Sequence, residues 1–152
     1  MAIDQACVGR SYPASGVYEV SREKIREFAE AIGDGSGVYR DPAVARELGH
    51  DDVIAPPTFT TIVNVRVIEA IVGDPELGVD YSMMVHADQR FSHRRPVRAG
   101  DRLVVVTHID GVLSRGGIDT LTVRGEVATE DGEAVGTMRA TLVFRGAAGA
   151  AA

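Results

Sequence analysis

A single cysteine, Cys7, occurs among the 152 residues, so no disulfide can form within the chain and a reducing compartment is expected. Positive charge is also scarce: 16 Lys and Arg stand against 22 Asp and Glu, a net charge of -6. A nucleic-acid binder would show a basic face, so this balance turns the search toward a small-molecule or protein partner. Long hydrophobic runs are missing as well. The longest apolar stretch, TIVNVRVIEAIV, is interrupted by Asn64, Arg66 and Glu69 and is too short to cross a bilayer. The opening MAIDQACVGRSY has neither the basic region nor the apolar core of a secretory signal, and a cytoplasmic protein is expected. His50, His86, His93 and His108 lack metal-ligand spacing and read as surface or strand histidines, so neither a metal nor a cofactor is expected. There is no internal repeat.

What is present is globular: 45% hydrophobic and 25% charged residues, in a length that suits one domain with a real core. One domain is expected over 1–146, with GAAGAAA giving a disordered tail at 147–152. VSREKIREFAEAIG predicts a helix capped by Ser21, with Ile25, Phe28, Ala29 and Ile32 on one apolar stripe and Gly33 as its stop. DPAVARELG predicts a short helix, with Asp41 as cap, Pro42 at its first position and Gly49 after it. PPTFTTIVNVRVIEAIVG is rich in β-branched residues, yet its length, its opening prolines and Gly73 favour a helix, apolar almost all round and therefore buried on most sides.

From Tyr81 onward the period becomes two. MVHADQRFSH, RLVVVTHID, IDTLTVRGEVAT and GTMRATLVFR read as antiparallel strands. In the last of these Met138, Ala140, Leu142 and Phe144 share one face. EDGE (130–133) is the stronger hairpin signal, with Asp-Gly suited to a type I′ turn, and SRGG (114–117) the weaker. A helix buried all round and followed by a long meander predicts an α+β chain whose sheet wraps a central helix. Such a sheet leaves an edge strand, so pairing with a second chain is expected.

The segment AIGDGSGVYRDPAVA (31–45) looks like an active-site loop. Asp34 either satisfies its own turn or faces a pocket, and Tyr39 is an aromatic with a hydroxyl. Phe28 precedes Gly33-Asp34, Tyr39 follows, and Ala45 comes after five further residues. Later come Ile54-Ala55-Pro56-Pro57, then Phe91, Pro96-Val97 and Gly100-Asp101. In order and spacing these motifs resemble the MaoC-like hot-dog dehydratases, also called (R)-specific enoyl-thioester hydratases, over most of residues 8–145. That resemblance implies a hot-dog fold and a role in fatty-acid metabolism. It also implies an acyl thioester of coenzyme A or a carrier protein as ligand. The family places a histidine where Tyr39 stands and a His-Gly pair where Pro56-Pro57 stands. These departures resemble the acyl-binding subunit type of the heterodimeric mycobacterial fatty-acid-synthase-II dehydratase, which works beside a catalytic hot-dog subunit.

The chemistry explains why the departures matter. Dehydrating a 3-hydroxyacyl thioester removes a proton at C2, which suits a histidine, and needs N–H donors for the thioester oxygen. Tyrosine, with a reference pKa of about 10, is a poor base near neutrality. Proline has no N–H to offer. The resemblance therefore implies Asp34 and Tyr39 as the relics of a catalytic pair. Pro56, Pro57, Thr58, Phe59, Ile62 and Val63 are expected to line an acyl site along the central helix. A self-sufficient hydratase homodimer using Asp34, a thioesterase using Glu69, and a module that binds no thioester are the alternatives. His50 is a distant candidate for a replacement base. Arg90, Arg94, Arg95 and Arg98 form either a solvated strand end or a docking point for the phosphates of coenzyme A or an acidic carrier.

Overall fold

The computed structural model describes residues 3–145, so the expected tail at 147–152 lies outside them. Helix α1 (Arg22–Ala31) starts where the sequence places it, because the Ser21 hydroxyl accepts from the Lys24 N–H at 3.1 Å. Ile25 and Ala29 on its stripe are buried, whereas Ile32 is exposed at the C-cap. Helix α2 (Pro42–Glu47) has its Asp41 cap and Pro42 opening. Helix α3 (Thr61–Val72) is shorter than expected. The residues from Pro56 to Thr60 instead make single turns, Phe59 N–H to Pro56 O and Thr61 N–H to Thr58 O, before regular helix begins. Phe28 of α1 holds this entry turn, its ring edge-on to Phe59 with centroids 5.4 Å apart.

Strands β1 (Tyr18–Glu19), β2 (Met84–His93), β3 (Arg102–Arg115), β4 (Ile118–Thr129) and β5 (Ala134–Arg145) form one antiparallel sheet in the order β1-β3-β4-β5-β2. β2 spans the MVHADQRFSH segment, and β3 continues past RLVVVTHID to Arg115. Met138, Ala140, Leu142 and Phe144 all point into the core, as the period-two pattern requires. The sheet curls around α3, which is the hot-dog arrangement. Gly125 lets the helix seat closely, since a Cβ there would lie 2.8 Å from Val67 Cγ2 and 3.0 Å from Val105 Cγ1.

Two expectations need correction. The turn at 130–133 is not type I′, because Gly132 alone has a positive φ (98°) and Asp131 does not. Gly132 N–H returns to Thr129 O, and a register shift at Val127/Ala128 accompanies the turn. It is the SRGG hairpin in which two successive residues, Gly116 and Gly117, take positive φ. The second correction concerns α3, which is not enclosed on most sides. Val63, Asn64, Val67 and Ile71 are buried, but Val65 is 48% exposed and Ile68 is half-buried. β3 and β4 of the sheet pack on one face of the helix, and the other lies open in a groove beside β2, an edge strand of the sheet.

The N-terminal segment is tied to the end of α3 through Asp74. Its carboxylate accepts from Arg10 at 2.6 Å, from the Tyr12 hydroxyl at 2.8 Å and from the Glu76 N–H at 2.9 Å. Burial pushes the Asp74 pKa up, but the bonds from Tyr12 and Arg10 outweigh it and hold the group below the usual carboxylate range. An Asp74→Asn variant is expected to lose about 2 kcal/mol of stability at neutral pH in a denaturant titration. Because the folded state holds this proton more weakly, that difference persists above about pH 4 and closes as the pH falls further. No helix among the described residues is long and apolar enough to cross a membrane.

Candidate active site

The separated motifs of the sequence meet at one cavity of about 300 Å³, lined by Tyr39, Ile54, Ala55, Pro56, Pro57 and the run from His93 to Val97. Backbone pairing brings them together. Ala55 N–H donates to Val97 O at 2.7 Å, and Ile54 bridges to Arg98. The Gly100-Asp101 motif holds the far side: Gly100 turns with φ +90°, and Asp101 accepts from the Arg98 N–H at 2.9 Å and from Arg95 at 2.8 Å. Arg95 also meets Glu133 at 2.8 Å, so this loop is clamped to the β4–β5 hairpin.

Tyr39 closes a short 3-10 turn (Gly37–Tyr39) after the Asp34 loop. Its phenol is pushed above its ordinary pKa by burial first and by the charge of Asp34 second. It therefore holds its proton more firmly here than in water, leaves less phenolate to act as a base, and remains an O–H donor at neutral pH. Comparison of the wild type with Tyr39→Phe by tyrosinate absorbance is expected to show that the lost tyrosine titrates above about 10. The sign follows: the folded state holds this proton more tightly, so its stabilisation is full below about pH 10 and fades as the pH rises beyond it.

Asp34 is half-buried and satisfies its own turn, with Oδ1 accepting from the Ser36 N–H at 3.0 Å. The loop backbone is secured by Arg40, which donates to Asp34 O at 3.0 Å and pairs with Glu30. Asp34 does not line the cavity, although its charge reaches Tyr39. Of the residues expected along the acyl site, Pro56 and Pro57 line the cavity, whereas Thr58 and Ile62 do not, and Phe59 and Val63 sit in the core at 1% exposure. His50 and Glu69 are also absent from the cavity wall. Glu69 instead faces the open groove beside α3 and pairs with Arg66. Among the described residues no three His, Cys, Asp or Glu side chains gather as a metal site. Cys7 is buried and free, and burial pushes its thiol up, away from reactive thiolate character.

Sequence reasoning passed over His93. The ring lines the cavity that Tyr39 and Pro57 also line, with Nε2 2.7 Å from the Pro57 carbonyl oxygen. The signal was present in the register: His93 is two residues beyond Phe91 on the same side of β2, and its ring lies parallel to that of Phe91. The arginines also separate. Arg90 pairs with Asp88, Arg95 with Asp101 and Glu133, and Arg98 with Asp51 and Asp101. Arg94 lines the cavity and makes no ion pair among the described residues.

Comparison with known proteins places this geometry. Residues 6–138 match the family model of the FAS1-like dehydratase domain region. The chain is 54% identical to a UPF0336 protein of Saccharopolyspora erythraea over 97% of its own length and 95% of that protein's. It is 54% identical to UPF0336 protein SCO4636 of Streptomyces coelicolor, covering 97% of this chain and 98% of that one. Among solved structures, it superposes with a TM-score of 0.80 and 33% identity on a chain of the HadBC (3R-hydroxyacyl-ACP dehydratase) complex of Mycobacterium tuberculosis, covering 94% of this chain and 99% of that one. A MaoC-like dehydratase matches at a TM-score of 0.81 and 32% identity over 93% of this chain, which spans 43% of that longer protein. With the sheet wrapped on α3 and the motifs joined at one cavity, the chain belongs to the MaoC-like hot-dog dehydratase family.

Proposed function

We propose that this chain is the acyl-thioester-binding subunit of a (3R)-hydroxyacyl-thioester dehydratase, acting in fatty-acid metabolism beside a second hot-dog chain that carries the catalytic Asp and His. The observation that carries this reading is the wall of the cavity. Tyr39 and Pro57 face the same space, one where the family's base belongs and the other where its helix-opening N–H belongs. The first holds its proton at neutral pH and the second has none to give. Either change slows proton abstraction, and the two act on separate parts of the transition state. The cavity nonetheless keeps an apolar lining in Ile54, Ala55, Pro96 and Val97. Arg94, unpaired at this cavity, suits the phosphate of a coenzyme A or carrier-protein arm.

The need for a partner rests on the other face of α3. Thr60 Oγ1 and Asn64 Oδ1 are buried without a hydrogen-bond partner among the described residues, an arrangement that a single chain does not favour. Val65 and Tyr81 line the same open groove as Asn64 and are exposed, as are Met83 and Val85 near β2, which lies at the edge of the sheet. A second hot-dog chain adding its own edge strand would cover this surface. The HadBC structure is a complex by its description, and its chain is the likeness that supports a heteromer here. A buried free Cys7 fits a reducing cytoplasm.

The test is enoyl-thioester hydration by the purified chain, alone and mixed with a hot-dog chain that has an intact Asp-x-x-x-x-His. Turnover only in the mixture, with the two chains co-eluting, supports the reading. Equal turnover by the chain alone, abolished by Asp34→Asn, replaces it with a self-sufficient hydratase.

A further inference from the structure

His93 ends β2 and lines the cavity that Tyr39, Pro56 and Pro57 also line. Its Nε2 lies 2.7 Å from the Pro57 carbonyl oxygen. A carbonyl oxygen can only accept, so Nε2 carries the hydrogen, and in the neutral ring Nδ1 is left with a lone pair. Nδ1 has no hydrogen-bond partner among the described residues. The backbone thus fixes the tautomer and leaves one acceptor on this ring. Among the other side chains of the wall none only accepts: Arg94 and Arg95 are donors, the Tyr39 hydroxyl both donates and accepts, and Ile54, Ala55, Pro96 and Val97 are apolar.

Building on the thioester-binding reading, we propose that His93 Nδ1 accepts the 3-hydroxyl hydrogen of a 3-hydroxyacyl thioester, making His93 the residue by which this subunit distinguishes the hydroxylated chain from its saturated or enoyl counterpart. A hydroxyl entering a mostly apolar cavity must find a partner or lose its hydration uncompensated. The imidazole lines this cavity and has its tautomer fixed with Nδ1 unpaired among the described residues, so it has an acceptor to offer, while the pantetheine amides common to every acyl thioester are not what it distinguishes. His93 takes part in binding and performs no bond-breaking step.

The experiment compares 3-hydroxyacyl-CoA with saturated acyl-CoA of equal chain length by calorimetry, using the full chain. The wild type is expected to bind the hydroxylated ligand roughly 3- to 10-fold more tightly, the range of one ordinary hydrogen bond. His93→Phe, checked by thermal melting to remain folded, should erase the preference while keeping affinity for the saturated ligand. His93→Gln, which can donate an N–H to Pro57 and still accept through its amide oxygen, should restore part of it. If His93→Phe weakens both ligands equally, or if the wild type binds both equally, His93 only tethers the Pro57 turn and the proposal fails. Absence of binding to either ligand by the wild type would instead overturn the thioester-binding function itself.

Discussion

A Tyr39→His variant, assayed alone for enoyl-thioester hydration, is expected to remain roughly 100-fold or more below an intact hot-dog dehydratase. Restoring the imidazole returns the general base, a contribution of about 10²–10⁴ in rate. It does nothing for the thioester oxygen, whose developing charge still lacks the N–H that Pro57 cannot provide, and one such donor is worth about 10²–10³. The double variant Tyr39→His/Pro57→Gly is expected to close most of the gap. The glycine keeps the carbonyl that His93 holds, and adds the donor. If Tyr39→His alone reached the rate of an intact family member, the role assigned to Pro57 would be wrong.

The largest stability effect is expected at Gly125, in the middle of β4 beneath α3. A Cβ at this position would stand 2.8 Å from Val67 Cγ2, 3.0 Å from Val105 Cγ1 and 3.3 Å from Met138 Cε. All three neighbours are in the core, Val67 at 1%, Val105 at 2% and Met138 at 1% exposure, so none can swing into solvent. Met138 is flexible and can yield, but the two valines on facing elements cannot both do so without moving the helix. Gly125→Val is therefore expected to cost about 3 kcal/mol, the upper end for overpacking. For a chain of this size that is a fall in Tm of roughly 6–12 °C. Chemical denaturation with an unchanged m-value would identify it as a loss of native stability. A variant as stable as the wild type would mean that α3 does not seat against β4 as described.

Much of this molecule is legible in its sequence because its signals are local. Ser21 and Asp41 cap helices through hydrogen bonds to residues two or three positions away, and the alternation in β5 needs only the pleat of one strand. The motifs around Tyr39, Pro57 and Pro96 could also be read, since their spacing carries them even when their convergence cannot be seen. What could not be read depends on partners distant in the chain. His93 becomes part of the site only because its register on β2 brings it to a carbonyl separated by 36 positions. The expectation that α3 is buried all round failed for a related reason. Its outer face is apolar by composition, yet Val65 is exposed in this chain, because composition alone does not say whether the same chain supplies a cover. The hairpin at 130–133 forms as the sequence leads one to expect, but its turn type differs, because an Asp-Gly pair serves both a type I′ turn and a turn closed by a glycine at its end, and the register shift in β4 accompanies the second.

The central claim is that this chain binds an acyl thioester without transforming it. Calorimetry and product analysis on one sample test it most directly: the isolated chain is titrated with an enoyl-CoA, and the cell contents are then analysed for the 3-hydroxyacyl product. Saturable binding, with product no greater than in a buffer control, is the predicted result. Binding accompanied by hydration at the rate of an intact family member would contradict the account, as would a folded chain that takes up no thioester at all.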